Sequence, residues 1–590
     1  MSERPVAIGL FREAVLRFGE GKTTTASRLA DRARELFLAA GDVDGACAAA
    51  LLRGRSALRA ARYPEAAEWL SWARDEANRR GLEPRVLAAN SELAVLAELQ
   101  GDLLSAVAAH RGVLERQRVR DDSLGIAMAA GNVARLLTRV AGHQLPIVTE
   151  SRVLLDEALQ RFRDGPHEAG IANTLICIGD QDRADGKLDQ ALKLFQEVVD
   201  LPPTPSVQPM RLLALHNLGN VLRQMGDYVR ASDAFLGAVA MAETLGDVRS
   251  TRRARTSLAM TRAMNGPLRI AVQELTTLRA GLGPAEEAAR AILAMNEAQL
   301  HLAAGNVKLA NGNLLQARRH YTERGDRPML DEIALVIASL ALLSTSDRLV
   351  FKEIRRRKVA TPSVVRERQL LRAQAAFRRL DLDDFDAAVV ALGQAASWQE
   401  AVGIGAACVE RAALAGLDSI DGLEQMAGLA VQRGARVDYL QIRLAQAHAA
   451  LWLGDLKRAA AWADEVQGEA ATLNRRIMAL SARMVNAFAG GQALAANAWR
   501  DEAKRLRDLG AVVPAAWSDA AAAVALRDDD ALDGAIRTLH QAGDEFHKLF
   551  LLAWRAAYGP PELAALAATL LETAGVFVPP WLRAVANPTS

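Results

Sequence analysis

A turn signature recurs along this chain roughly every 40 residues. It reads as a small or polar residue, often a second polar one, and a small residue five places after the first. Clear copies are Gly101-Asp102-Leu103-Leu104-Ser105-Ala106, Gly186-Lys187-Leu188-Asp189-Gln190-Ala191 and Gly226-Asp227-Tyr228-Val229-Arg230-Ala231. Gly454-Asp455-Leu456-Lys457-Arg458-Ala459 repeats it far downstream. A fixed period of this length specifies a stack of helical pairs, in which each pair buries its apolar face only against its neighbours. That removes the usual expectation that a chain of 590 residues divides into several globular domains.

With the first residue of each signature as a phase marker, the markers fall at Gly21, Ala61, Gly101, Gly142, Gly186, Gly226, Gly266, Gly305, Thr345, Asp383, Leu417, Gly454, Gly491 and Asp530. The later position is Ala at 26, 66, 106, 191, 231, 271, 310, 388, 459, 496 and 535. Ile147, Val350 and Gly422 depart from it. Glycine ends one helix because it enters the left-handed conformation without steric cost. The alanine sits in the next helix, where two helices approach too closely for a larger side chain. Around Gly226, Leu212, Leu215, Leu218 and Leu222 before the turn and Ala231, Phe235 and Ala238 after it keep helical i, i+3/i+4 spacing.

These residues resemble the tetratricopeptide repeat (TPR) family. The run from His216 to Tyr228, continuing to Ala231, Phe235 and Ala238, carries Leu218-Gly219, Gly226 and Tyr228 where that family's motif has them. Ile178-Gly179, followed by Gly186, Leu188, Ala191 and Phe195, is a second copy. The period exceeds the family's usual 34 or so residues, and looks like an extended type with longer helices or longer links. The resemblance implies an all-α, right-handed superhelical solenoid of about 13–14 antiparallel helix pairs. Segments expected from breaks in the pattern are a solenoid over 1–345, degenerate repeats with a hinge over 346–453, further repeats over 454–558, and a capping helix and tail over 559–590. Leu201-Pro202-Pro203-Thr204-Pro205 reads as a rigid connector. Lys352–Thr361, with Arg355-Arg356-Arg357-Lys358, is the basic stretch nearest the hinge. Trp581 is expected to cap the last pair.

The composition excludes several classes of function. Seventy-two basic and 70 acidic residues leave a formal charge of +2, too balanced to drive binding to nucleic acid or an anionic membrane. Cys47, Cys177 and Cys408 are scattered, so neither a metal-ligand pair nor a disulfide framework is expected. The N-terminal residues have no uncharged apolar run of signal-peptide length, and no stretch approaches a membrane span; a cytoplasmic protein is the expectation. Gly19-Glu20-Gly21-Lys22-Thr23-Thr24 imitates a phosphate-binding loop, but Leu16 stands where such a loop needs glycine. A helix–turn–helix corner with Thr23 or Thr24 as N-cap is expected instead. His540, Asp544 and His547 are close in sequence, but Gly543 should interrupt their helix, so no metal site is assigned. No nucleophile and base stand at a recognised spacing, and no catalytic residue or cofactor is expected.

In the TPR family the first helix of each pair lines the concave groove. The resemblance implies groove positions at Asn173, His216, Asn217, Asn220, Arg223, Arg253, Ser257, Asn296 and Gln299, beside an arginine cluster at 249, 252, 253 and 255. An Asn amide offers a donor and an acceptor to an extended peptide, and Arg forks onto a carboxylate. The expected function is a non-enzymatic scaffold or adaptor binding a peptide or protein segment there. The alternative is a regulatory sensor, responsive to a peptide or small ligand, that acts on a separately encoded protein. The end repeats also offer surfaces for self-association.

Overall fold

A computed structural model describes residues 3–140, 145–284, 286–344, 362–393, 397–490, 496–557 and 559–586. Among them are 30 α-helices, one short 3-10 helix and no strand, with consecutive helices packed antiparallel in pairs. The helices Thr23–Ala39, Val43–Arg59, Tyr63–Arg79, Glu83–Leu99 and Leu103–Val119 are each 17 residues long, and their starts are 20 residues apart. The long period therefore comes from longer helices, not longer links.

The turns follow from backbone chemistry. Gly41, Gly101, Gly186, Gly226, Gly305 and Gly454 all have positive φ. At Gly41 the amide bonds to Leu38 O at 3.0 Å and that of Asp42 to Phe37 O at 2.8 Å, satisfying carbonyls at the helix end. The polar residue that follows is the next N-cap: Asp42, Asp102, Asp227 and Asp455 accept from the amides of Gly45, Ser105, Arg230 and Arg458. At the first turn the N-cap is Lys22 with no side-chain cap, so Thr23 begins the helix and neither threonine caps it.

The signature alanines at 26, 66, 106, 191, 231, 271, 310, 388, 459 and 535 are buried. Ala496 is only half-buried, and Trp499 and Ala503 fill the interface instead. A Cβ on Gly219 would stand 2.7 Å from the Phe235 ring, and one on Gly179 would stand 2.8 Å from Phe195, so the Gly–Phe pairs interlock. Both rings are fully buried, each contributing roughly 2–3 kcal/mol. At the marker positions Asp383, Leu417 and Asp530 the residue with positive φ stands just ahead, at Leu380, Gly416 and Arg527. Gly142, Thr345, Val350, Lys352–Thr361 and Gly491 lie outside the described residues.

Packing divides the chain into one unit up to Ala214 and another from Leu215 onward. The first is a nearest-neighbour stack. Its apolar residues form successive small clusters, such as Ala7 with Phe37 and Ala49, Ala50 with Leu70 and Leu96, and Leu114 with Ile126 and Phe162. The connector holds as read: Leu201 is extended, and the next helix starts at Gln208.

The second unit winds back on itself. One continuous buried cluster runs from Tyr228 through Trp398, Trp452, Phe488, Trp517 and Trp554 to Leu582. Turns far apart in sequence are joined directly. Arg433 donates to Met225 O at 2.6 Å, Arg475 to Ala263 O at 2.6 Å, Val437 N to Met264 O at 3.2 Å, and Lys308 N to Leu509 O at 3.0 Å. The C-terminal residues close the same core. Trp581 Nε1 donates to Leu451 O at 2.8 Å and its ring lies 4.7 Å from Phe488, so it reaches back past the last pair. Residues Pro580–Ala586, expected as part of the tail, form a short helix.

Candidate functional site: a basic concavity on the first helices

In the second unit, a concavity of about 610 Å³ is lined by the helices Gln208–Gln224, Val248–Arg262 and Glu287–Ala303, each the first of its pair. Positions 249, 252, 253, 256, 257 and 260 of the middle helix line it, as do 288, 289, 292, 293 and 296 of the third. Both sets are one face of an α-helix at i, i+3/i+4, i+7 spacing. The opposite faces carry residues such as Ala254, Leu258, Ala291 and Ala298, which are buried in the solenoid.

His216, Arg223, Arg253, Ser257 and Asn296 all line this space, together with Arg249 and Arg252 of the arginine cluster. The remaining expected positions do not. Asn217 is as buried as His216, but one residue along the helix turns it about 100° away, out of the lining. Asn220 is half-buried beside the concavity, accepting from Arg223 at 3.5 Å. Gln299 is exposed outside the lining, and Asn173 is exposed in the first unit. Arg255 turns away to Glu243 at 2.6 Å. Sequence reasoning missed Glu286, Ile292 and Arg324. Glu286 is the N-cap ahead of its helix, where helical phase gives no direction, and Arg324 ends Val307–Arg324, a second helix that the resemblance did not place on the groove. Ile292 shares the stripe of Asn296 and was findable by its spacing.

Five arginines against one glutamate line the space, a net of +4. Arg252 is engaged by Glu286 at 2.6 Å. Arg253 Nε donates to His216 Nε2 at 2.9 Å, which fixes a neutral imidazole with its proton on Nδ1. Burial first, then the charges of Arg253 and Arg223, push His216 down to about 3. The folded pKa lies below the unfolded value near 6.5, so the associated stability is intact above pH 6.5 and lost as pH falls toward 3. His216 is expected to show no NMR titration between pH 5 and 8. A midpoint between 6 and 7 in that range would contradict the Arg253–His216 arrangement. The apolar part of the lining, Met260, Leu293 and the half-exposed Ile292, gives side chains a surface to pack on.

Elsewhere, the residues resembling a metal set are otherwise engaged. Asp544 is fully buried, bonded to His547 Nδ1 at 2.9 Å and accepting from Trp517 Nε1 at 3.0 Å, with Arg378 at 3.4 Å. Burial opposes its ionisation, but His547 and Arg378 prevail and hold it down at about 2. His540 pairs with Glu545 at 2.6 Å instead. No described helix is long and apolar enough to cross a membrane.

The fold and this concavity define an all-α helical-repeat array with a basic concavity lined mainly by first helices. Among solved structures, the chain is similar to the apo form of the quorum sensor NprR from B. thuringiensis, at 15% identity and a TM-score of 0.41, over 62% of this chain and 97% of that one. It is also similar to apo RapI, at 13% identity and a TM-score of 0.40, over 60% and 98%. Yeast Tom70 follows at 14% identity and a TM-score of 0.29, over 79% and 99%. No family model and no curated protein sequence matches the chain.

Proposed function

We propose that this chain is a non-enzymatic protein-interaction array of the TPR type, holding an extended acidic segment of a partner protein against the first helices around Arg253. One observation carries the reading: first helices of three successive repeats each turn one face into a single concavity whose lining holds five arginines and one glutamate. Arginine forks onto carboxylates, and the Asn296 amide and Ser257 hydroxyl supply further hydrogen-bonding groups for an extended backbone. Arg249 and Arg253 are exposed along this face, where their guanidinium groups can meet an incoming carboxylate.

The test is fluorescence anisotropy with a labelled Glu/Ala decapeptide bearing a free C-terminal carboxylate, beside its Lys/Ala counterpart. Arg249→Glu combined with Arg253→Glu is expected to weaken binding of the acidic peptide about 30-fold or more, with helical circular dichroism unchanged. Binding should also fall steeply with added salt. Equal affinity of the variant, or equal affinity for the lysine peptide, would refute the groove.

The alternative role, a ligand-responsive sensor acting on a separate protein, draws on a different feature. The bonds that join residues 225–310 to residues 433–510 form a seam, and a seam is an element that a ligand can bias between joined and parted forms.

A further inference from the structure

A second concavity, of about 680 Å³, opens along that seam. Its rim is made by backbone bonds that join distant stretches, Leu268 N to Leu473 O at 3.3 Å and Lys308 N to Leu509 O at 3.0 Å. Its volume is in the range of small-molecule sites. The floor is apolar, formed by Val272, Ala479 and Leu480. Around it stand Arg269, Arg476, Arg483 and Arg505, with His301, against the single lining carboxylate Glu502.

The charges are not mutually satisfied. Glu502 lies 3.6 Å from Arg476 and 3.8 Å from Arg505, beyond good hydrogen-bond length. Arg483 Nε is buried and has no hydrogen-bond partner among the described residues. Arg483 also lines the space, where its guanidinium offers N–H donors to an incoming oxyanion. Asn474, held with positive φ at the turn before the helix Arg476–Gly490, adds an amide to the same wall.

We propose that this seam cavity is a binding site for a small oxyanion, a molecule bearing carboxylate or phosphate groups, held by Arg483 and Arg269 from opposite windings of the second unit. Arginine matches both oxyanion types through two parallel N–H donors. Because Arg269 belongs to one stretch and Arg483 to the other, occupancy braces the seam, and bound ligand raises the stability of the joined form.

The experiment is calorimetric titration and thermal unfolding of the full chain with inorganic pyrophosphate and with citrate, beside uncharged glucose. At least one anion is expected to bind and to raise the unfolding midpoint, and glucose to do neither. Which anion binds assigns the phosphate or the carboxylate class. Arg483→Ala and Arg269→Ala are each expected to weaken that binding roughly tenfold or more. Arg269 is exposed, so its variant keeps the test decisive should Arg483→Ala fail to fold. Arg253→Glu, in the separate basic concavity, should leave it unchanged. Binding of neither anion overturns the site. So does binding that survives Arg269→Ala, or binding lost in Arg253→Glu.

Discussion

Asp438→Ala is expected to destabilise the unit from Leu215 onward by about 3 kcal/mol or more. Asp438 is buried, and its Oδ2 accepts from Tyr228 Oη at 2.8 Å and from Trp398 Nε1 at 2.9 Å. Tyr228 is fully buried and receives a further bond from Gln399 at 3.1 Å, and Arg433 lies over the Trp398 ring at 4.9 Å. Removing the carboxyl strands a hydroxyl and an indole N–H, each costing about 1–3 kcal/mol when unmatched. Asp438→Asn keeps an acceptor oxygen of the same reach and is expected to cost about 1 kcal/mol or less. Hydrogen exchange of the full chain, read in the helices Tyr228–Thr244 and Arg436–Leu453, localises the effect. Equal losses in the two variants, or no loss in Asp438→Ala, would show that the seam does not depend on this oxygen.

The same residue sets a pH dependence. Burial pushes Asp438 up to about 6, against the opposing pull of the Tyr228 and Trp398 donors and of Arg475. The folded pKa exceeds the unfolded value, so the folded protein holds this proton more tightly. Its contribution is fully present below about pH 4 and is lost as pH rises through about 6. Asp544, held at about 2, runs the other way: its contribution is present above about pH 4 and lost below it. In Asp438→Asn the decline between pH 4 and 6 should disappear.

Gly226→Ala is expected to cost about 3 kcal/mol, whereas Gly186→Ala costs about 1–2 kcal/mol. The two glycines hold the same place in the repeat and nearly the same conformation, with φ of 79° and 77°. A Cβ on Gly186 would meet nothing within 4 Å, so only the left-handed backbone opposes it. A Cβ on Gly226 would fall 2.2 Å from Cδ1 of Trp398, the ring already fixed by its bond to Asp438. Urea unfolding of the full chain, followed by hydrogen exchange in each unit, measures the difference. Equal penalties would mean that Trp398 yields freely and that the seam is loosely packed.

Much of the local structure was legible in the sequence because it is built from local rules. Glycine with positive φ, aspartate as N-cap and alanine at the close approach each act within a few residues, so Gly226, Asp227 and Ala231 announce a turn wherever they recur. The longer helices were less legible: periodicity counts residues per repeat but does not divide them between helix and link. In the basic concavity, His216, Arg223, Arg253, Ser257 and Asn296 came from the resemblance, which puts first helices on a groove, and all five line the same space. Asn217 is as buried as His216 but, one step along the helix, points away from the space that His216 lines. Glu286 enters from an N-cap and Arg324 from the end of a second helix, neither of which the first-helix pattern covers.

The sequence by itself determined an all-α array, its turns and its repeating small contacts, since every one of these is an interaction between near neighbours along the chain. The tertiary structure alone decided that the second unit would wind back on itself. Tyr228 meets Asp438, Met225 meets Arg433 and Ala263 meets Arg475 across more than 200 residues. No local pattern encodes such partners, because they are chosen by the rotation accumulated over many repeats. A small change in each repeat's packing angle, invisible in the signature, decides which distant turns arrive side by side.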